Sequence, residues 1–281
     1  MALSICSIAS GSRGNCVLVK GGNTTLLIDL GIPSEYLVQK LESLNISPAA
    51  LDGVLITHEH GDHTNGLPAF CRRFPVPVYM REDAAAGIKK RWKKDARNHA
   101  CVLFGGEDFF IKGLGVSPIE LPHDVPCTGF SIWDREEKLS VITDLGVLTP
   151  RVLQSVGDSG ILMIESNHDP DLLRASAKYP AVLKRRILSA RGHLSNADCA
   201  EAVVRLYAAG RLKRVILAHL SLENNYPDLA LSTLRAAFAR AGLSADGLAV
   251  SVAEQYKVSG FITAGAEGLG IDNEEARSVA N

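Results

Sequence analysis

A short segment dense in metal-binding side chains, Thr57–His63, constrains this chain more than any other. It reads Thr-His-Glu-His-Gly-Asp-His, and it follows Leu51–Ile56, an apolar run that predicts a buried strand. Imidazole and carboxylate groups bind zinc and other first-row metals. So many donors in so short a stretch fit two adjacent ions better than one ion that must also keep a position for water. The sequence therefore predicts a strand that ends at a metal site.

Three further potential ligands follow other predicted strands. They are His123, Asp144 and His219, after the apolar runs 116–122, 139–143 and 214–218. Taken alone, each is more often structural; an aspartate before Leu-Gly, for example, commonly forms a turn. Donors at the ends of several strands are expected where a sheet presents a site at one edge. Together with Thr57–His63, they favour a binuclear site.

This pattern resembles the metallo-β-lactamase fold superfamily over nearly the whole chain. The His-x-His-x-Asp-His motif of that superfamily is matched within Thr57–His63, and its later His, Asp and His are matched by the three strand-end residues. The resemblance implies an α/β fold, an αββα sandwich in which two mixed β-sheets pack face to face with helices on the outside.

The resemblance also implies a ligand set for two divalent ions. The residues that match the ligands of the first ion are His58, His60 and His123. Those of the second ion are Asp62, His63 and His219, with Asp144 as the bridge. Manganese, zinc and iron are all compatible with these donors. A bridging carboxylate, in place of the cysteine of many true β-lactamases, is typical of the hydrolase and nuclease branches.

Three further segments narrow the resemblance: Ser10–Asn15, Ile164–Asp169 and Arg191–Asn196. With them the chain closely resembles the YycJ/WalJ-like family of bacterial proteins, which implies a metal-dependent 5′-to-3′ DNA exonuclease. The segments are also similar to tRNase Z and the cyclic-phosphate phosphodiesterases. All of these enzymes cleave phosphate esters, so we expect a binuclear phosphodiesterase in which a metal-activated hydroxide attacks phosphorus.

Three residues are expected to take part in that chemistry. Asp62 lies next to both predicted ions and would orient the hydroxide. By analogy with tRNase Z, His193 would be the general acid that protonates the leaving alkoxide, with Glu165 fixing its tautomer. The structural alternatives are that His193 caps a helix beginning near Asn196, and that Glu165 pairs with an arginine.

The segments around the predicted metal site contain candidate substrate contacts. Ser10–Asn15 is a glycine-rich loop between two predicted strands; it has backbone N–H groups and hydroxyls that could hold a phosphate, although a hairpin turn is its simplest role. The candidate substrate-binding residues are Ser10, Ser12, Asn15, Asn167 and Asn196.

Clusters of basic residues indicate binding to nucleic acid more clearly than the net charge of the chain does. The net charge is −1, which argues against attraction of the whole protein to nucleic acid. However, 89–94 contains five cations and Trp92 in six positions, and Lys184–Arg186 with Arg191 forms a second basic cluster. Charge runs are usually solvated surface, but beside a phosphodiesterase site they favour DNA as substrate. The possible nucleic-acid contacts are Lys90, Arg91, Trp92 and Lys94.

Length and composition set the remaining bounds. A chain of 281 residues is compatible with a single domain, predicted for residues 1–263, with a flexible C-terminal tail at 264–281. Six scattered cysteines predict reduced thiols in a cytoplasmic protein. No apolar stretch is long enough for a membrane span, and the oligomeric state stays open.

Other functions remain open at this stage. A glyoxalase II-like thioesterase or lactonase would use the same metals on a small acyl substrate and would not need His193 and Glu165. A small cyclic phosphate or RNA could replace DNA. A DNA-binding module without catalysis is disfavoured, because a purely structural site needs neither a bridging carboxylate nor open coordination.

Overall fold

The structure is a computed structural model that describes residues 2–92 and 101–265. The strands in these ranges are β1 Ser4–Ala9, β2 Cys16–Gly21, β3 Thr24–Ile28, β4 Gly53–Ile56, β5 Val78–Arg81, β6 Cys101–Phe104, β7 Phe109–Ile111, β8 Leu114–Leu121, β9 Cys127–Trp133, β10 Lys138–Ile142, β11 Ile161–Glu165, β12 Arg214–Ala218, β13 Ala249–Val252 and β14 Ile262–Thr263. The helices are α1 Ser34–Ser43, α2 Gly61–Thr64, α3 Leu67–Arg73, α4 Glu82–Trp92, α5 Pro150–Val156, α6 Pro170–Ala175, α7 Ala181–Ile187, α8 Asn196–Ala208 and α9 Pro227–Arg240, and Pro48–Ala50 forms a 3₁₀ turn.

The strands form two seven-stranded mixed sheets. Sheet 1 has the order β14-β1-β2-β3-β4-β5-β6, and sheet 2 has the order β13-β12-β11-β10-β9-β8-β7. In both sheets the pairing changes once, from antiparallel strands on one side to parallel strands on the other. The predicted α/β class with two mixed sheets is therefore confirmed.

Alternation along the strands produces three apolar layers. In β11, Ile161 and Met163 pack in a core shared by both sheets, whereas Leu162 and Ile164 face a second core together with residues of α8 and α9. In sheet 1, the outer face packs on residues of α1 and α3. Because the central strands are buried on both faces, they are continuous apolar runs in the sequence. The layers are therefore helix, sheet, sheet and helix, as the resemblance implied.

One edge of the sandwich collects the carboxyl ends of strands from both sheets. Strands β3 and β4 are parallel neighbours in sheet 1. In sheet 2, β10, β11 and β12 are parallel, and β8 runs in the same direction as β10 because each is antiparallel to β9. Ligand sites of α/β proteins lie beyond the carboxyl ends of strands. The loops that carry the predicted ligands all begin at these ends.

Within residues 2–92 and 101–265, no helix combines the length and the apolar character that a membrane crossing requires. The chain returns to sheet 1 at β14, which pairs with β1. The predicted C-terminal tail, 264–281, lies outside the described residues apart from its first two positions.

Candidate metal centre

Two groups of three donors lie side by side at this edge. One consists of His58, His60 and His123, and the other of Asp62, His63 and His219; within each group the donor atoms lie within 4.8 Å of one another. Asp144 forms a further group with His58 and His63 under the same limit. The structure thus brings together all seven residues that the resemblance marked as ligands, with Asp144 between the two groups.

Hydrogen bonds fix the orientation of four of the five candidate histidine ligands. In each case Nδ1 has a partner behind the ring: His58 with Thr57 Oγ1 at 2.9 Å, His63 with Asp29 Oδ2 at 2.7 Å, His123 with Gly192 O at 3.1 Å and His219 with Glu165 Oε1 at 2.6 Å. Such contacts hold a metal-binding histidine in one tautomer, with Nε2 free to accept a cation.

Several buried atoms that face the centre make no hydrogen bond within the described part of the chain. They are Nε2 of His58, His123 and His219 and Oδ2 of Asp144, although His123 Nε2 and Asp144 Oδ2 lie close to oppositely charged groups, Asp124 and His63. Buried polar atoms without a partner are costly and call for an explanation. Converging imidazole nitrogens and carboxylate oxygens are the donors that divalent transition metals bind, so these residues fit a metal ion.

The charge balance of the centre also suits cations. Burial alone would raise the pKa of the Asp62 carboxyl, but the adjacent imidazoles of His219 and His63, 3.7 and 3.5 Å away, outweigh it and lower that pKa far below its usual range. Burial alone would lower the pKa of His63, but the charges of Asp144 and Asp29 outweigh it and raise the pKa. Burial lowers the pKa of His58, which therefore stays neutral. The carboxylates that draw protons to His63 would equally attract a metal ion.

Unusual backbone conformations orient the side chains of three residues at the centre. Asp29, Asp144 and His219 have φ values of 62°, 65° and 55°, in the left-handed region that non-glycine residues seldom adopt. Each lies just beyond the end of a strand. Such conformations cost energy and are concentrated at functional sites. Here they turn the chain at the sheet edge, so that the side chains point back into the centre.

The glycine-rich loop and the metal-binding loop are tied together at their backbones. Asn15 N donates to Asp62 O at 2.7 Å, and Gly31 N donates to Asn15 O at 2.9 Å. A Cβ atom on Gly31 would lie 1.6 Å from Asp62 O, so only glycine permits this approach. These contacts fix the position of Asp62, and the side chain of Asp62 remains 25% exposed.

His193 and Glu165 form a hydrogen-bonded pair beside the centre. His193 Nδ1 lies 2.9 Å from Glu165 Oε1, and its ring lies between those of His123 and His219, with centroid distances of 5.3 and 5.4 Å. Burial alone would lower the pKa of His193, but the Glu165 charge outweighs it and raises that pKa. Helix α8 is instead capped by Ser195, whose Oγ accepts from Asp198 N, so the capping alternative for His193 is wrong.

Glu165 has more partners than the sequence analysis anticipated. It is fully buried, and its Oε2 accepts hydrogen bonds from the backbone N–H groups of Leu145 and Leu194. Its Oε1 is shared between His193 and His219. One carboxylate therefore orients both a candidate ligand and the candidate general acid.

Most of the candidate substrate-binding residues have side-chain partners inside the protein. Ser10 Oγ accepts from His219 N at 2.8 Å, and Asn15 Nδ2 lies 3.1 Å from His63 Nε2. Asn167 Nδ2 donates to His219 O, and Asn196 exchanges hydrogen bonds with Asn225. In contrast, Ser12 is exposed in the glycine-rich loop. Four of the five are therefore engaged inside the protein, and Asn15 reaches the His63 nitrogen that faces the centre.

Two acidic residues at the centre were not anticipated from the sequence. Asp29 is buried, bonds to His63 Nδ1 and accepts from both Thr57 N and Thr57 Oγ1. Asp124 Oδ1 lies 3.1 Å from His123 Nε2 and 3.4 Å from His60 Nε2. Both follow the ends of strands in the structure. Asp124 directly follows His123, so the strand-end rule used for the other ligands would have included Asp124. Asp29 lies inside the predicted strand at 25–30, so the same rule would have missed it.

The two basic clusters differ in how far they are described. Lys90, Arg91 and Trp92 lie in α4, but their side chains fall outside the described part, as does Lys94 entirely. In the second cluster, Arg186 Nε lies 3.4 Å from Asp124 Oδ2, and Arg191 Nε donates to His123 O. The second cluster thus borders the metal centre.

Comparisons with known proteins agree with this geometry. A sequence model of the metallo-beta-lactamase superfamily matches residues 9–193. The chain is 36% identical over 244 residues to the exodeoxyribonuclease WalJ of Streptococcus pneumoniae, covering 84% of this chain and 88% of WalJ. It is 32% identical to the exodeoxyribonuclease YycJ of Bacillus anthracis, covering 82% of this chain and 87% of YycJ.

A solved structure shares the fold. The metallo-beta-lactamase fold protein YhfI of Bacillus subtilis superimposes with a TM-score of 0.68, at 16% identity, over 92% of this chain and 99% of YhfI. At that identity the likeness concerns the fold alone, whereas WalJ and YycJ match most of the sequence. The chain therefore belongs to the metallo-beta-lactamase superfamily and, within it, to the family of the exodeoxyribonucleases WalJ and YycJ.

Proposed function

We propose that this protein is a binuclear metal-dependent phosphodiesterase that removes nucleotides from the 5′ end of DNA. The observation that carries the proposal is the pair of three-donor groups around Asp144, with His193 and Glu165 beside them. Support for DNA comes from the relatives named exodeoxyribonucleases, which match more than four-fifths of the chain.

The proposed metal ligands are the seven residues that converge at the sheet edge. His58, His60 and His123 would hold one divalent ion, Asp62, His63 and His219 the other, with Asp144 shared. When bound, two such ions would lower the pKa of the attacking water and neutralise charge on the phosphodiester. Manganese, zinc and iron all suit a set of imidazoles and carboxylates without a thiolate.

The chain's own residues would complete the reaction. Asp62 keeps part of its carboxylate exposed at the centre, from where it would accept a hydrogen bond from the attacking water and orient it. His193, held at Nδ1 by Glu165, would donate the proton on Nε2 to the leaving alkoxide. General acid catalysis of this kind contributes roughly 10²–10⁴ in rate.

Positive charge beside the centre would hold the DNA backbone. Arg185 and Arg186 are exposed on α7, and Arg186 and Arg191 contact residues of the centre. Phosphate contacts by such side chains make binding depend strongly on salt.

We also propose a cytoplasmic location, because all six cysteines are free and five of them are buried, as expected for reduced thiols.

A nuclease assay of the manganese-loaded protein tests the proposal. The substrates are duplex and single-stranded DNA labelled at one 5′ or one 3′ end, with Asp62→Ala as the blank. We expect mononucleotides from the 5′ end with the wild type alone. Release from the 3′ end would overturn the polarity. If fully metallated protein cuts neither substrate, the proposal that DNA is the substrate is wrong, and thioesters and small phosphodiesters become the substrates to test.

A further inference from the structure

A groove of about 380 Å³ lies next to the metal centre. Its walls include Ser10, Leu220–Leu222, Asn225–Pro227 and Val252–Lys257. It is linked to the centre through the backbone of His219, because Ser10 Oγ accepts a hydrogen bond from His219 N and Leu220 follows His219 in the chain. Its size is within the roughly 300–1,000 Å³ typical of sites for small ligands. We call it the tyrosine groove.

Two exposed tyrosines make the wall of the groove aromatic. The side chains of Tyr226 and Tyr256 are 54% and 63% exposed, and Leu222, also in its wall, is 50% exposed. Exposed aromatic and apolar groups collected at a concave site indicate binding. Beside a phosphodiester-cleaving centre, exposed aromatic rings are suited to stacking with nucleobases.

We propose that the tyrosine groove binds an unpaired nucleobase of the strand being cut, next to the scissile phosphate, by stacking on Tyr226 and Tyr256. This inference rests on the proposed function, since it assumes that DNA reaches the metal centre. It adds a base-binding subsite to the ligands and the general acid described above.

The two amide side chains of the groove are already engaged within the protein. Asn225 Nδ2 donates to Ser166 O, and Asn225 Oδ1 accepts from Asn196 and from Tyr226 N. Gln255 Oε1 accepts from Arg13 N, and Gln255 Nε2 donates to Gly14 O. Because these amide groups already have hydrogen-bond partners in the protein, they do not form hydrogen bonds with the edges of a base. The groove would recognise the face of a base and tolerate any of the four.

Charge at the rim suits the sugar-phosphate backbone. Arg13 is exposed, and its Nη1 donates to the Tyr256 hydroxyl at 3.4 Å. The acidic side chain of Glu254 is balanced by Lys257, whose Nζ lies 3.5 Å from its carboxylate. The Arg13 guanidinium thus brings positive charge next to one of the stacking rings, where a backbone phosphate would accompany a bound base.

The groove is fixed relative to the metal centre. A Cβ atom on Gly11, whose φ is 143°, would lie 2.7 Å from Gln255 Oε1 and 3.3 Å from Leu220 O. The glycine-rich loop therefore packs closely against both walls. Because the same loop also contacts His219 and Asp62 through Ser10 and Asn15, a base in the groove would keep a set distance from the metal ligands.

The test combines tyrosine variants with an abasic substrate. We would compare Tyr226→Ala, Tyr256→Ala and the corresponding Phe variants with the wild type, measuring kcat/KM on single-stranded DNA whose terminal nucleotide carries a base or is abasic. Stacking on an aromatic side chain predicts a loss of about 5- to 150-fold for each Ala variant on normal DNA, and much less for Phe. The loss should exceed any loss on bis(p-nitrophenyl) phosphate.

The abasic substrate identifies the base as the ligand. The wild type should prefer normal to abasic DNA, and the Ala variants should lose most of that preference. Phe110→Ala is the matched control, because Phe110 is 65% exposed but lies on β7, at the far end of β8 from His123. Ala variants that keep wild-type kcat/KM, or that still discriminate against abasic DNA, would overturn the subsite.

A binding measurement distinguishes failure of the base-binding subsite from failure of the proposed function. If the wild type cuts no DNA, the proposed function fails, and the metal-loaded protein is then titrated with a single strand carrying 2-aminopurine at its 5′ end. Quenching of that fluorescence by the wild type and not by the Ala variants would support the groove. Equal quenching, or none with any protein, would refute it.

Discussion

Asp29 is expected to control metal affinity through His63 without touching the ion. Asp29 Oδ1 accepts from Thr57 N at 2.9 Å, and Oδ2 accepts from Thr57 Oγ1 at 2.9 Å and from His63 Nδ1 at 2.7 Å. The substitution Asp29→Asn preserves the shape of the side chain, and asparagine tolerates the left-handed backbone of this position. The replacement therefore changes the hydrogen bonding and the charge but not the shape.

The direction of the effect follows from donors and acceptors. If the Asn oxygen keeps the bond to Thr57 N, its NH₂ group faces His63 Nδ1, which must then accept a hydrogen bond. The His63 proton moves to Nε2, the nitrogen that lies 3.3 Å from Asp144 Oδ2, and a protonated nitrogen cannot bind a metal. Substitutions of such supporting residues typically cost 10- to 100-fold in metal affinity, about 1.4–2.7 kcal/mol.

The measurement is a metal titration of chelator-stripped protein. We expect two manganese ions per wild-type chain and a 10- to 100-fold weaker ion at His63 in Asp29→Asn. The ion held by His58, His60 and His123 should lose less affinity, because Asp29 reaches His58 only through the Thr57 hydroxyl. Asp52→Asn is the matched control, because Asp52 is a half-buried carboxylate that accepts from Thr25 N at the opposite end of β4. Two wild-type affinities in Asp29→Asn would refute the reasoning.

Three further predictions concern the general acid, the shared ligand and a helix cap. His193→Ala should keep its metal content, measured by elemental analysis, yet lose about 10²–10⁴ in kcat on DNA and much less on bis(p-nitrophenyl) phosphate, whose leaving group needs little protonation; equal losses would remove the general acid. Asp144→Ala should weaken both ions, because Asp144 lies between the two groups; full content at limiting metal would contradict the bridge. Asp169 accepts from Asp171 N and Leu172 N at the start of α6, so Asp169→Ala should lower the free energy of unfolding by about 1 kcal/mol in urea titrations, and an unchanged midpoint would contradict the cap.

Strands with strong local signals could be predicted from the sequence. Strand β4, Gly53–Ile56, lies within the apolar run 51–56 that predicts it, because that run is buried on both faces of the sheet. Strand β14 is a different case: it has two residues and pairs with Ser4 and Ile5, at the other end of the chain. Its existence depends on a partner more than 250 residues away, so no local pattern could indicate it.

The position at which β3 ends explains why the sequence did not indicate Asp29 as a residue of the site. The sequence predicts a strand at 25–30, which places Asp29 inside it, whereas β3 ends at Ile28 and Asp29 turns into the left-handed region. Hydrophobic residues continue past the turn, at Leu30 and Ile32, so the pattern gives no sign of the end. The contact of Asp29 with His63, 34 positions along the chain, exists only in the fold.

The division of donors between the two sheets has a thermodynamic consequence. Loops after sheet 1 contribute the donors between 58 and 63, and loops after sheet 2 contribute His123, Asp144 and His219, so the complete site exists only when both sheets are docked. Binding then stabilises the native state by mass action, by about 2.7 kcal/mol for an ion at 100 times its Kd. That is a large part of the roughly 5–15 kcal/mol that holds a typical protein folded. Metal scarcity would therefore reduce the melting temperature and resistance to proteolysis of this protein together with its turnover.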